Sequence, residues 1–538
     1  MANFPLINEA SLVMASGAYK EGKIYSQLPT DGSGDFTFTR GTDTATRVNK
    51  DGYIEKERAN LLLQSNQFDT SPWVINTSVS EGEEGYDGTT DAWSLTRASG
   101  GSLMGAQNIS LSGVSTYSIY AKINTNNGIG LAFGSLSIAA RFDLRDATKT
   151  QAVTETGIIS SSQKYVGNGF YRLSITANVS GSIEARIYLT TADATTSDSS
   201  GGTHIIQDAQ VEQGLVATDY IETTTAPVYA GLTDNMPRLD YSGGAECGAY
   251  LLEESRTNIA NGSEYFGGLS IIGSPVRTPN ATISPEGVKN AYAISVSGGS
   301  ARLRSINIPY ANGDSYCFSV YAKANGTSTF NMIHQNNKFN VRIDLSNQTY
   351  TPSGTNDWLD DVDIVPFGNG WYRCVVYITM DANAVTGTAE IQLLDGDSVY
   401  VYGIQIEQGS YPTSYIPTYG STQTRAADVS TVSKTLPSEG SLFINVGGTS
   451  QPKLSVLGEY FDASTTANKV AIAYSSTALV ISHNGSIVVD KTGTYDVSSL
   501  TQIQLGHSNG ADQADSPISE FITFDSFLTN NELNALTQ

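Results

Sequence analysis

The sequence predicts an all-β chain of several sandwich domains, on three observations. The first is composition: 52 Gly, 29 Tyr and only 15% charged residues, with runs of Ser, Thr and Asn, favour strands and tight turns over helices. The second is length, because 538 residues exceed one hydrophobic core and point to about three domains of 100 to 200 residues. The third is an internal repeat, in which two long stretches match in order.

Residues 1–56 form the first element. Phe4, Leu6, Ile7, Leu12 and Val13 lie scattered among Gly and Ser up to residue 34, too few for a core. The segment is therefore expected to be ordered by a partner surface.

The first repeat occupies residues 57–228 and the second 254–425, with a linker strand segment, 229–253, between them. Asn60-Leu61 matches Asn258-Ile259 at an offset of 198, and Ser118-Ile119-Tyr120-Ala121-Lys122 matches Ser319-Val320-Tyr321-Ala322-Lys323. Gly167-Asn168-Gly169-Phe170-Tyr171-Arg172 matches Gly368-Asn369-Gly370-Trp371-Tyr372-Arg373 at 201, and Gln210-Val211-Glu212-Gln213-Gly214 matches Gln405-Ile406-Glu407-Gln408-Gly409 at 195. The change in offset places about six extra residues of the first copy in Thr190 to Thr203, a polar tract that reads as a mobile loop. Tyr117, Ile119 and Ala121 alternate with Ser118, Tyr120 and Lys122, the period of a half-buried strand. The Asn-Gly pairs make tight turns into the next strand. About eight such strands per copy, with no helical stretch between them, fit a jelly-roll sandwich. Both copies should then superpose, with 190–203 as the main difference.

From 426 to 538 the pattern changes. Leu479-Val480-Ile481-Ser482, Asn484-Gly485 and Ile487-Val488-Val489 predict a hairpin. Thr529-Asn530-Asn531-Glu532 is a capping box opening a helix whose Leu533 and Leu536 face a sheet.

Charge narrows the function classes. Lys and Arg total 30 against 53 Asp and Glu, a formal charge of −23. That surface repels nucleic acid and anionic membranes. No apolar run reads as a signal peptide or reaches the roughly 18 residues of a membrane span, so no membrane insertion is expected. Three cysteines, Cys247, Cys317 and Cys374, have no metal-type spacing and leave an odd thiol, which suits assembly in a reducing compartment.

Catalytic motifs are not found. His204, His334, His483 and His507 are scattered, and the chain has no HExxH, GxSxG or P-loop. No enzymatic activity, cofactor or metal site is therefore predicted, and Cys317 and Cys374 read as core filler. A glycan-cleaving depolymerase, which needs only two carboxylates, is the enzymatic rival. Trp73, Trp93 and Trp371 sit at matched positions and read as core. Trp358 stands apart in Asn356-Asp357-Trp358-Leu359-Asp360-Asp361 and is the candidate carbohydrate-binding residue, a ring beside carboxylates that could stack on a sugar. Arg58 and Arg256, at matched module starts, read as ties between linker and sandwich.

Two longer patterns resemble known families. Phe36-Thr37-Phe38-Thr39-Arg40-Gly41, Ala45-Thr46-Arg47-Val48-Asn49, Gly52-Tyr53-Ile54-Glu55 and Arg58-Ala59-Asn60-Leu61-Leu62, with Pro237-Arg238-Leu239-Asp240-Tyr241 and Leu251-Leu252-Glu253-Glu254-Ser255-Arg256-Thr257-Asn258, resemble segments of phage head-spike, head-fibre and tail-fibre proteins. Each repeat is similar to carbohydrate-binding jelly rolls of the family 4/9 type, and residues from Gly440 onward to concanavalin A-like (laminin-G-like) sandwiches. The resemblance implies a structural virion protein assembled in the host cytoplasm. Residues 1–56 would attach it to other phage virion proteins of capsid or tail, and the sandwiches would project toward cell-surface glycans. A decoration protein without glycan binding is the alternative. Because fibres are commonly multivalent, a homo-oligomer, a trimer, is expected.

Overall fold

The structure is a computed structural model. It describes residues 6–146, 153–191, 196–242, 248–307, 311–381, 387–446, 453–456, 459–462, 469–497, 501–505 and 517–538. Among these the chain is all-β, with one α-helix, Asn530–Thr537.

The second repeat is a sandwich of two six-stranded sheets. One runs Ser270–Ile272, Ala301–Asn307, Thr388–Leu393, Thr329–His334, Asn340–Asp344, Thr349–Pro352. The other runs Val276–Thr282, Ala291–Ser295, Ser398–Gln408, Ser315–Ala324, Trp371–Thr379, Leu359–Gly368. Alternation decides what fills the space between: Leu303, Met332, Val341 and Ile391 from one sheet meet Phe318, Val320, Cys374 and Val376 from the other.

The first repeat has the same strand order. Here, however, Leu103–Ile123 and Phe170–Thr190 each run unbroken through both sheets, paired along almost their whole length. A strand crossing between sheets must bend, and Gly113 and Gly181, at φ +89° and +96°, stand at the crossing. The second copy instead divides each of these strands in two. Part of the expected loop difference, residues 192–195, lies outside the described residues.

Equivalent side chains close both modules. Asn60 Nδ2 donates to the carbonyls of Ala209 and Ile221 at 3.0 and 2.8 Å, and Asn258 Nδ2 to those of Ile404 and Ile416 at 3.2 and 2.9 Å. Both Asn-Gly turns are in place, with Asn168 and Asn369 at φ +48° and +52°. The modules are also docked: Val114 and Leu215 of the first enter the core of the second, and Asn280 Nδ2 donates to Ser160 Oγ at 3.0 Å.

The boundaries expected at 56 and 426 do not follow the packing. Ala10–Ala15 pairs with Ile518–Phe524, and Phe36–Thr39 pairs with Val429–Val432. Leu12, Met14, Ile24, Phe36 and Phe38 share one core with Leu239, Tyr250, Ile444, Ile472 and Phe521. Of the apolar groups expected to need a foreign partner, Leu6, Ile7, Leu12 and Val13 thus find one inside the chain, while Phe4 lies outside the described residues. The first segment, the linker and the last segment make a single composite sandwich, into which both modules are inserted. Its final helix has the expected capping box and buries Leu533 and Leu536 against the sheet. Asn484-Gly485 forms the expected hairpin turn.

Where these segments cross, three guanidiniums surround two carboxylates. Arg40 Nη1 lies 3.2 Å from Asp428, Arg238 bridges Glu253 at 2.6 Å and also Asp428, and Arg425 reaches Glu253 at 2.8 Å. The three Arg side chains and Asp428 are fully buried and Glu253 nearly so. Buried charges persist only when paired and hydrogen-bonded. Here Arg40 also donates to the Met236 and Thr233 carbonyls, each at 3.0 Å, and Arg425 to that of Glu254 at 2.6 Å.

Candidate functional site

Trp358, the ring expected to meet a sugar, is 1% exposed and belongs to the second module's core. Its backbone N–H donates to the Lys338 carbonyl and its carbonyl accepts from Thr379. That holds the polar turn against the sheet and swings the indole inward. There Nε1 donates to Asp381 Oδ1 at 3.0 Å, and the His334 ring lies 4.8 Å away. Its polar flanks stay outside while the ring fills the core, so it offers no stacking face.

Trp73, Trp93 and Trp371 are buried as expected, and so are Cys317 and Cys374. Burial pushes both thiols far above the reactive range. Cys247 lies outside the described residues. Burial also lowers His204 and His334 to about 4, leaving neutral imidazoles. Among the described residues no group of three or more His, Cys, Asp or Glu side chains is placed to hold a metal.

The two modules differ on the outer face of the sheet that includes Ala301–Asn307. In the second module one cross-strand row reads Arg302, Gln392, Asn331, Arg342, Thr351 across five strands. The next row begins Arg304, Glu390, Ile333, Asn340. The matching rows of the first module read Tyr188, Gly130, Arg141, Val153 and Ala106, Arg186, Ala132, Ala139. Backbone and register are shared, so the fold itself does not demand the polar set.

These groups hold one another in place. Arg342 clasps Asp397 with two bonds of 2.6 and 2.7 Å and donates to Asn331 Oδ1 at 2.9 Å. Glu390 is fully buried beneath Arg304, at 2.8 Å, and Arg302, at 3.5 Å. One of its carboxylate oxygens accepts no hydrogen bond. The guanidiniums keep 27 to 33% of their side-chain surface exposed, so a planar layer of donors faces outward over buried acceptors. Sequence reasoning missed this layer. Its signal was the alternation Ala301-Arg302-Leu303-Arg304, which puts charge on two successive outward positions of a strand.

The sandwiches also differ at one end. In the second module Lys56 Nζ, from the strand Ile54–Asn60, lies between Glu264 at 2.8 Å and Glu286 at 3.2 Å. The corresponding end of the first module has Asp87, Asp91 and Asp208 around Gln207, with Tyr86 donating to Asp208 at 2.9 Å. Burial, then the neighbouring Asp91 and Asp87, raise Asp208 to about 7.

Comparison with protein families gave no match, and comparison with curated proteins gave none. Among solved structures the chain is similar to the N-terminal CBM22-1-CBM22-2 tandem domain from Paenibacillus barcinonensis Xyn10C. The identity is 10%, the match covers 68% of this chain and all of that one, and the TM-score is 0.22.

Proposed function

We propose that this chain is a non-enzymatic bacteriophage virion protein, a fibre or spike subunit that carries its two inserted sandwiches for attachment to glycans. The observation that carries the glycan reading is the polar double row of the second module. Planar amide and guanidinium groups, spaced by the sheet and fixed by one another, match the paired hydroxyls of a sugar ring without having to be ordered on binding. The virion setting rests on the spike- and fibre-like segments. Three residues of the segments that carry that resemblance, Arg40, Arg238 and Glu253, hold the crossing point together with Arg425 and Asp428. In this reading the composite sandwich is the end held by the particle, the modules project from it, and the subunits act as a homotrimer.

Mutual satisfaction of the row favours a second reading, a decoration protein whose polar face is only a sheet covering. The full chain and its Arg342→Ala variant on a glycan array separate the two. Glycan binding predicts retention of at least one neutral or acidic oligosaccharide, weakened about tenfold or more in the variant. A silent array for the wild type leaves the decoration reading. Failure of the chain to co-sediment with particles from a producing lysate would remove the virion reading.

A further inference from the structure

A second place on the molecule has unused binding capacity. A cleft of about 370 Å³ opens where the two modules and the composite sandwich meet, within the roughly 300 to 1,000 Å³ of small-molecule sites. Its lining includes Lys56, Glu57, Arg58 and Ala59 of the strand Ile54–Asn60, together with Asp43, Tyr229, Tyr419 and Gln213. The walls are fixed to each other: Gly113 of the first module touches the Tyr419 carbonyl so closely that any side chain there would overlap it.

The repeat itself points to this cleft. Arg256, the counterpart of Arg58, pairs with Glu254 at 2.5 Å and stacks on Tyr411 at 4.8 Å. Among the described residues the Arg58 side chain makes no hydrogen bond or ion pair, and it remains half-buried at the cleft. The side chain of Asp43 is likewise unpaired, and Tyr229 is 52% exposed.

We propose that this cleft is a binding site for a neutral saccharide of one or two rings, with Tyr229 as the stacking platform and Arg58, Asp43 and Glu57 as hydrogen-bond partners. It is separate from the face of the second module. A neutral polyol suits the lining because each hydroxyl both donates and accepts. Arg58 supplies donors, Asp43 acceptors, and their opposite charges leave no net attraction for an ion. Burial first, then Asp43 and Asp234, raise Glu57 to about 8, so at neutral pH its carboxyl also donates. The same two carboxylates repel an anionic sugar. An exposed tyrosine beside polar groups gives the apolar face of a pyranose its contact.

The test is calorimetric titration of the full chain with cellotriose, chitotriose and mannotriose, and with trigalacturonate as the charged counterpart. The expected result is binding of at least one neutral probe, weakened about tenfold or more by Arg58→Ala and by Tyr229→Ala with only a small change in melting temperature, since among the described residues neither side chain has a hydrogen bond or ion pair to lose. Binding preserved in both variants, a preference for trigalacturonate, or no heat from any neutral probe at millimolar concentration would overturn it. Binding lost in Arg342→Ala but kept in Arg58→Ala would place the sugar on the second module's face, refuting the cleft and leaving the earlier reading intact.

Discussion

At Glu253 burial and charge act against each other. Burial alone would raise this carboxyl, but the guanidiniums of Arg425 and Arg238 and the Ser414 hydroxyl hold it at about 2. An unfolded glutamate titrates near 4.3, so the folded state binds its proton less readily. The resulting stability is complete above that value and is lost as pH falls toward 2. We therefore expect the melting temperature to drop steeply between about pH 4.5 and 2. Glu253→Gln should be less stable at pH 7 by about 3 to 5 kcal/mol, because it leaves buried guanidiniums short of charge, and should lose less than wild type on acidification. Parallel acid curves for the two proteins would count against this account. Trp358 teaches a related lesson, since polar neighbours in sequence fix the path of the backbone but not the side to which a ring turns.

The strand Ile54–Asn60 connects three bodies. Ile54 and Lys56 are buried against the second module, Asn60 closes the first, and Glu57 and Arg58 open to the cleft. Lys56→Ala would leave Glu264 and Glu286 buried without their cation, at a cost of about 3 to 5 kcal/mol. Adding Glu264→Gln should restore part of that, and urea unfolding of the single and double variants measures it; equal stability of the two would argue against the pairing. Strands and turns were legible because their signals are local, as in Tyr117, Ile119 and Ala121, the Asn-Gly pairs at 168 and 369, and the capping box at Thr529, although Ser118 and Tyr120 are buried too, so that strand is covered on both faces and not half-buried as expected. What lay hidden was assembled from distant stretches. Arg302 can be seen to point outward, but not that Gln392 and Arg342 complete its row, and Leu12 can be seen to be apolar, but not that its strand pairs with Ile518–Phe524. Arg40, Arg238 and Glu253 appeared in separate motifs, never as one cluster with Arg425 and Asp428.

For the whole molecule, the composite sandwich draws residues between 6 and 34 into its core. Leu12, Val13, Met14 and Ile24 are all buried, and at about 1.5 to 3 kcal/mol each their removal takes away about 6 to 12 kcal/mol, as much as a domain's entire stability. Deletion of residues 1–34 should therefore abolish the calorimetric transition of the composite sandwich and leave those of the inserted modules. An unchanged thermogram would show that the segment is dispensable. The same arrangement sets an order of events during synthesis. Ala10–Ala15 leaves the ribosome about 500 residues before the strand it must pair with, a wait on the order of half a minute or more at cellular translation speeds. Both modules can fold in that interval, whereas the composite sandwich cannot close until the last strand emerges. Chains whose synthesis stops early would carry finished modules but lack a closed composite sandwich, so whatever that sandwich joins would receive only completed copies.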